Sequence, residues 1–362
     1  MVTTTLRSKR HVPRLPRRFL ARSARTSSAK GGLVLSTLLL GLRAIFSFAV
    51  AGLAMVCGIA AIAAQGGRWN DRLDLLTQPA PLWMAGGLVC LACSAFVIRG
   101  WPRWVTVAFS LAAVLSAGGL MWMDILRLPA AIGAAPAPGS LKVIEFNAWS
   151  RNPDPRRVAQ WLRQEDPDVV VIPESFPLLE REIRAQTDLR IFSGSGAVIA
   201  TRETPLGEHV AWEVRQLPGA PTEFTWVDLR GRAGQVFTVV GVHKGRPIPS
   251  RYAWGQDKKI ESFIATQDRS SVILTGDFNS TQWSFRQRIL DRSIGLERRD
   301  IALPTWPARL PELGGLSFPF PFLSIDHIYA GSSWTMASVE RGPRLGSDHY
   351  PLVATLVWAP AR

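Results

Sequence analysis

The stretch Gly346-Ser347-Asp348-His349-Tyr350-Pro351-Leu352 sets a carboxylate and an imidazole side by side, just ahead of an apolar, β-branched run. A strand that starts there presents both side chains from a fixed edge. The same arrangement recurs upstream. Glu145-Phe146-Asn147, Ile172-Pro173-Glu174-Ser175, Gly241-Val242-His243, Thr275-Gly276-Asp277-Phe278-Asn279 and Ser324-Ile325-Asp326-His327 each stand at or beside the end of a short apolar segment. Carboxylates, amides and imidazoles gathered this way meet the needs of phosphoester hydrolysis: charge on the phosphoryl group is neutralised, water is activated and the leaving oxygen is stabilised. The set comprises Asn147, Glu174, His243, Asp277, Asn279, Asp326, Asp348 and His349. It is rich in oxygen donors and suits Mg²⁺ or Mn²⁺, whereas a zinc site more often shows clustered His and Cys.

Eight short runs read as strands: Leu141–Phe146, Val169–Ile172, Ala197–Ala200, Thr225–Leu229, Val236–Val242, Val272–Leu274, Ile325–Tyr329 and Leu352–Val357. Helical spacing falls between some of them. Val158, Trp161 and Leu162 share one face after Pro155, and Ile260, Phe263 and Ile264 do the same further on. The strands around Thr225–Val242 follow one another without a helix, as hairpins do. The pattern predicts an α+β sandwich of four layers, two packed mixed sheets flanked by helices, rather than a doubly wound parallel sheet.

The amino-terminal part is of another kind. Residues 44–64, 79–98 and 104–123 carry no charged side chain, and each run is long enough as a helix to cross about 30 Å of hydrocarbon. Trp83, Trp101, Trp104 and Trp122 lie near run ends, where indoles anchor at the interface. Residues 1–139 hold 15 of the 42 Lys and Arg but three of the 28 Asp and Glu, so they account for +12 of the net charge of +14. The pI near 10.8 therefore reports membrane topology and not a nucleic-acid surface. The expected organisation is a basic cytoplasmic head over 1–43, three membrane helices within 44–129, a Pro- and Ala-rich linker over 130–140 and an extracytoplasmic domain over 141–362. The purely basic turn Arg99–Arg103 agrees with that orientation, a multi-pass protein of the cell membrane. Cys57, Cys90 and Cys93 all lie in the apolar runs, which leaves the outer domain without a disulfide or a Cys-ligated metal.

On Phe146-Asn147, Pro173-Glu174, Val242-His243, Gly276-Asp277-Phe278-Asn279, Ile325-Asp326-His327 and Gly346-Ser347-Asp348-His349-Tyr350-Pro351-Leu352, all in that order, residues 141–358 resemble the endonuclease/exonuclease/phosphatase (DNase I-like) superfamily. The three-span layout is similar to that of bacterial membrane-anchored members. The resemblance implies that Glu174 is the principal metal ligand, with Asn147 and Asp348 beside the Mg²⁺ or Mn²⁺, directly or through water. It implies that Asp277 and Asn279 face the phosphate and the attacking water. It also implies that Asp326 holds His349, as general base or phosphate contact, and that His243 supports the phosphate or leaving oxygen. His327 is expected on the opposite face of its strand from Asp326, as a supporting residue.

The function expected is a membrane-anchored, metal-dependent phosphoesterase acting outside the cytoplasm on a phosphorylated lipid. Two alternatives stand beside it: an anchored extracytoplasmic nuclease, against which the near-neutral outer domain argues, and a catalytically silent binding module, which would have lost some of these side chains.

Overall fold

The computed structural model describes residues 18–96, 98–125, 140–194, 196–202, 209–214, 224–231, 234–248, 250–300, 303–310 and 315–359. The first 17 residues of the head and residues 130–139 of the expected linker lie outside them.

Helix α1 runs over Arg18–Ala64, so the head is helical from Arg18 onward rather than separate from the first apolar run. The short helix α2 (Asp71–Asp74) leads to α3 (Ala80–Phe96), and α4 spans Trp101–Ile125. α1, α3 and α4 pack on one another. Among the described residues, two helices are long and apolar enough to cross a membrane alone, Thr37–Arg68 and Trp101–Asp124, and the three crossings expected from the sequence are reached if Asp71–Thr77 and Ala80–Phe96 count as one bent span. The middle run yields 17 helical residues, about 26 Å at 1.5 Å per residue, and is bent by 56° from Asp71–Thr77. Pro79 explains the break, because it has no N–H with which to continue the preceding turn.

The remaining chain forms β1 (Ser140–Glu145), α5 (Pro155–Glu165), β2 (Val169–Pro173), α6 (Pro177–Gln186), β3 (Leu189–Phe192), β4 (Ala197–Arg202), β5 (His209–Val214), β6 (Thr225–Arg230) and β7 (Val236–His243). It continues as α7 (Ser250–Ala265), β8 (Ile273–Asp277), α8 (Phe285–Ile294), β9 (Glu297–Arg298), β10 (Arg309–Leu310), β11 (Leu316–Ser317), β12 (Asp326–Ala330), β13 (Trp334–Arg341) and β14 (Leu352–Trp358). Two six-stranded sheets result, ordered β13-β14-β1-β2-β4-β3 and β5-β6-β7-β8-β12-β9.

Alternation along each strand assigns the layers. Leu141 and Val143 of β1, Val169 and Val171 of β2, Val239 of β7 and Ile328 of β12 meet between the sheets. Their neighbours Ile144, Val170 and Ile172 turn outward onto Val158 and Leu162 of α5 and Leu179 and Ile183 of α6. Val240, Val242, Leu274 and Tyr329 pack onto Ile260 and Ile264 of α7 and Leu290 and Ile294 of α8. β2 and β8 are buried at every residue, as expected of central strands covered on both faces. This is the four-layer α+β sandwich that the periodicity predicts.

Each sheet has one parallel pair at its centre, β1 with β2 and β7 with β8, and α5 and α7 make the two crossovers. α5 starts well for local reasons: Asp154 caps it by accepting from the Arg157 N–H at 3.2 Å, and Pro155 occupies its first turn. The C-terminal ends of all four parallel strands point the same way. The start of β12 joins them because Asp326 pairs with Asp277, and the start of β14 because Leu352 pairs with Glu145.

Candidate active site

Those converging ends carry Asn147, just past β1, Glu174 just past β2, His243 at the end of β7, Asp277 at the end of β8, Asp326 at the start of β12, and Asp348 and His349 ahead of β14. Every residue singled out in the sequence therefore arrives at one edge of the sandwich. The backbone bends sharply to achieve this. Gly276 has φ +146°, and a Cβ there would lie 1.9 Å from the Val242 carbonyl oxygen, so only glycine lets β7 and β8 pair up to the Asp277 position. Glu174 and Asn279 both have φ +50°, an uncommon conformation for side chains other than glycine and one that clusters where geometry serves a site.

Asn147 lies between the two sheets' contributions, its Nδ2 donating to Asp277 Oδ2 at 2.9 Å and reaching Glu174 Oε1 at 3.4 Å. Its oxygen accepts from the Trp149 N–H at 3.0 Å. Asn147 thus fixes two carboxylates and turns its amide N–H, rather than its oxygen, towards them. The Ser150 N–H donates to Glu174 Oε2 at 3.2 Å. His243 Nε2 is 3.7 Å from both Glu174 Oε1 and Asp277 Oδ2. Asn279 gives its backbone N–H to Asp277 Oδ1 at 2.7 Å and its side-chain N–H to the Lys244 carbonyl at 2.8 Å.

The Ser347 hydroxyl bonds the Asn147 carbonyl at 2.7 Å and accepts the His349 N–H at 3.0 Å, which locks the β14 approach onto β1. His349 Nδ1 lies 2.8 Å from Asp326 Oδ2, and its Nε2 is 3.9 Å from Asp277 Oδ2. Burial by itself lowers the His349 pKa. The charge and hydrogen bond of Asp326, with Asp277 and Asp348 behind, outweigh that and push it up to about 10. At neutral pH the ring is an imidazolium held by its carboxylate. Burial, reinforced by Asp326, holds Asp277 above its ordinary value although His349, His243 and the Asn279 N–H pull it down.

Beneath the site lies a carboxyl to which the sequence assigns no role. Burial, and then the charges of Asp326, Asp277 and Asp300, push the Glu145 carboxyl well above the usual carboxylate range. Neither of its oxygens has a hydrogen-bond partner.

Among the described residues, one group has carboxylate and imidazole atoms all within 4.8 Å: Asp277, Asp326 and His349. It differs from the metal set that the family pattern implies. The short Asp326–His349 bond occupies Nδ1, and in the imidazolium form Nε2 carries a proton in place of the lone pair a metal needs. Burial raises the Asp348 pKa and the charge of Glu174 adds to this, although the charge of His349 lowers it.

The open space is a cleft of about 670 Å³ lined by Glu174, His243, Asp277, Asn279, Asp348 and His349. Trp306 lines it with Leu323, and Phe322 packs on Trp306, with ring centroids 6.3 Å apart. Sequence reasoning missed Lys244, Arg246 and Ile248, which continue the His243 strand end into the rim. It also missed Leu75 and Gln78, which reach the cleft from the segment between the first two apolar helices.

Residues 144–349 match the profile described as the Endonuclease/Exonuclease/phosphatase family. The chain belongs to this family. It is accordingly a hydrolase of phosphoric esters by class, and divalent metals are the general cofactors of such enzymes. Among solved structures, an endonuclease/exonuclease/phosphatase family protein from Bacteroides thetaiotaomicron is similar over 62% of this chain and all of its own, with a TM-score of 0.51 and 18% identity. A functionally unknown conserved protein from Enterococcus faecalis V583 is similar over 60% of this chain and all of its own, with a TM-score of 0.51 and 16% identity. At such identities the likeness is one of fold. No curated protein matches the sequence.

Proposed function

We propose that this family member is a membrane-anchored, divalent-metal-dependent phosphoesterase whose cleft faces the extracytoplasmic side and takes a phosphorylated lipid. The observation that carries the reading is the composition of the cleft, where Glu174, His243, Asp277, Asn279, Asp348 and His349 share one space with Leu75 and Gln78 from the interspan segment. An enzyme anchored this way meets a lipid at high effective concentration. The basic head and the basic Arg99–Arg103 turn favour the cytoplasm, which leaves the other ends of the helices and the catalytic domain outside.

Glu174 and Asp348 supply the oxygen donors for Mg²⁺ or Mn²⁺, with Asn147 beside them keeping Glu174 in place. When bound, the ion supplies a Lewis acid that neutralises charge on the phosphoryl oxygens. Asp277, fixed by Asn147 and Asn279, accepts the proton of the attacking water as its oxygen bonds to phosphorus and the bond to the leaving oxygen breaks. His349, its Nδ1 held by Asp326, directs an Nε2–H at a phosphoryl oxygen, and His243 steadies the leaving oxygen. Asn279 orients the phosphate or the water.

The test uses full-length protein in phosphatidylcholine vesicles offered lipid phosphates, a soluble phosphoester and DNA, with Mg²⁺ or with EDTA. Release from the lipid that EDTA abolishes is the expected result. Nicking of DNA alone would replace the reading with an anchored nuclease, and no turnover anywhere would leave a binding module. A carboxyl-terminal topology reporter active only in the cytoplasm would overturn the orientation.

A further inference from the structure

The segment between the first two apolar helices is clamped to the catalytic domain by an unusual density of polar contacts. Asp74 is buried, and its carboxylate accepts from the Ser284 hydroxyl at 2.7 Å, the Phe285 N–H at 2.9 Å and the Arg286 N–H at 3.2 Å, so it caps the start of α8. Gln78 accepts the Thr281 N–H on its side chain at 2.8 Å, and its carbonyl takes the Trp283 indole N–H at 3.0 Å. Trp283 itself packs among Ala61, Ala64, Ala80, Leu120 and Met121, at the ends of three apolar helices.

This clamp leaves one large apolar side chain facing the cleft. Leu75, between the two clamped residues, is 36% exposed and lines the same space as the catalytic carboxylates, and Ile248 lines it from the catalytic domain at 39% exposure. A site for phosphate and metal alone has no use for two uncovered aliphatic chains. Their position is informative, because Leu75 lies a few residues beyond the apolar helix that ends at Arg68, where Trp69, 80% exposed, suits the boundary between hydrocarbon and water.

Resting on the lipid-phosphate reading above, we infer that the interspan segment Asn70–Gln78 is a wall of the substrate cleft, and that Leu75 with Ile248 receives the hydrocarbon next to the phosphate. The phosphate enters towards His243 and His349, while the chain leaves along Leu75 to the bilayer. The apolar helices then do more than anchor: the loop they carry selects a phosphate attached to an alkyl chain over one attached to a soluble group.

The experiment labels full-length protein in phosphatidylcholine vesicles with an alkyl phosphate bearing a diazirine on the carbons next to the phosphate, and maps the label by mass spectrometry. Label on the peptide containing Leu75, suppressed by excess inorganic phosphate, is expected. Phosphate-sensitive label confined to the catalytic domain overturns this inference and leaves the lipid reading standing, whereas no phosphate-sensitive label anywhere overturns both. Leu75→Ala supplies the kinetic arm, with the preference in kcat/KM for a long-chain over a short-chain alkyl phosphate falling about tenfold. A preference unchanged in that variant and in Ile248→Ala also overturns the inference.

Discussion

Strand β12 carries two histidine–carboxylate pairs back to back. Asp326 faces the space between the sheets and holds His349 at 2.8 Å, while His327, the next residue, faces the α8 side and pairs with Asp300 at 3.0 Å. Both pairs are buried. They differ at the second ring nitrogen. His349 Nε2 looks into the cleft, 3.9 Å from Asp277, whereas His327 Nε2 bonds the Ser280 carbonyl at 2.8 Å. An imidazole with both nitrogens engaged fastens a strand to a loop, and one with a nitrogen left open to a cleft can act on a substrate. The pair alone does not mark a site; the open nitrogen does.

The largest effect expected from this contrast is on turnover. His349→Ala should lower kcat on any accepted phosphoester by about 10³-fold in the folded fraction, since the general range for such a group is 10²–10⁴. Asp326→Asn should lie between this variant and wild type, because the ring remains but its orientation and charge are no longer supported. If kcat is unchanged in either variant, the front pair is as structural as the back one.

His327→Ala should show the reverse, with near-wild-type kcat in the folded fraction and stability lowered by roughly 3 kcal/mol, because Asp300 is left buried without its partner. Thermal unfolding in detergent, read beside specific activity, separates the two. A folded His327→Ala protein without activity would erase the distinction between the faces.

The pairs should also fail at opposite ends of the pH scale, measured as unfolding temperature in chelated protein. His349 is pushed up to about 10 in the fold, above the ordinary value of about 6.5. Its stabilisation is therefore complete below the ordinary value and is lost as pH rises through about 10. Asp300 goes the other way. Burial opposes its ionisation, but the charge and hydrogen bond of His327, with Arg298 and the Ile328 N–H, hold its carboxyl below the usual range. Its stabilisation is present above the ordinary aspartate value, about 3.9, and disappears as pH falls through the lower folded value. Asp326→Asn should flatten the alkaline limb and Asp300→Asn the acid limb; a swap of these assignments would refute the contrast.

The sequence made the front of β12 far more legible than the back. All eight expected strands exist, because a strand covered on both faces, such as Val169–Ile172, reads as an unbroken apolar run wherever it packs. Asp277 and His349 were visible because they stand at such strand ends within ordered motifs. Asp300 had no such context: it lies in an irregular stretch after β9, and only the fold brings it to His327, 27 residues on. α6 and α8 escaped for a related reason, being short helices whose apolar residues are stabilised by tertiary neighbours rather than by their own periodicity. Leu75 and Gln78 were out of reach altogether, since nothing local to an interspan loop announces a partner about 200 residues away.

A third carboxylate, Asp74, extends the comparison to the membrane side with the smallest effect. It resembles Asp300 in serving structure, but its partners are the hydroxyl of Ser284 and the amides of Phe285 and Arg286 rather than a ring, so its task is to hold the first turn of α8 against the interspan segment. Asp74→Ala removes a cap that is typically worth about 1 kcal/mol, with the range reaching roughly 2 kcal/mol. The consequence should be local: amide hydrogen exchange at Phe285–Gln287 should rise severalfold while exchange in β8 and β12 stays as in wild type. Asp74→Asn keeps one acceptor oxygen, enough for the Phe285 N–H or the Arg286 N–H but not both, and should recover part of the protection. If exchange rose equally in β8, the interspan segment would be stabilising the catalytic sheets as a whole. Its role would then resemble that of the His327–Asp300 pair more than that of a wall beside the cleft.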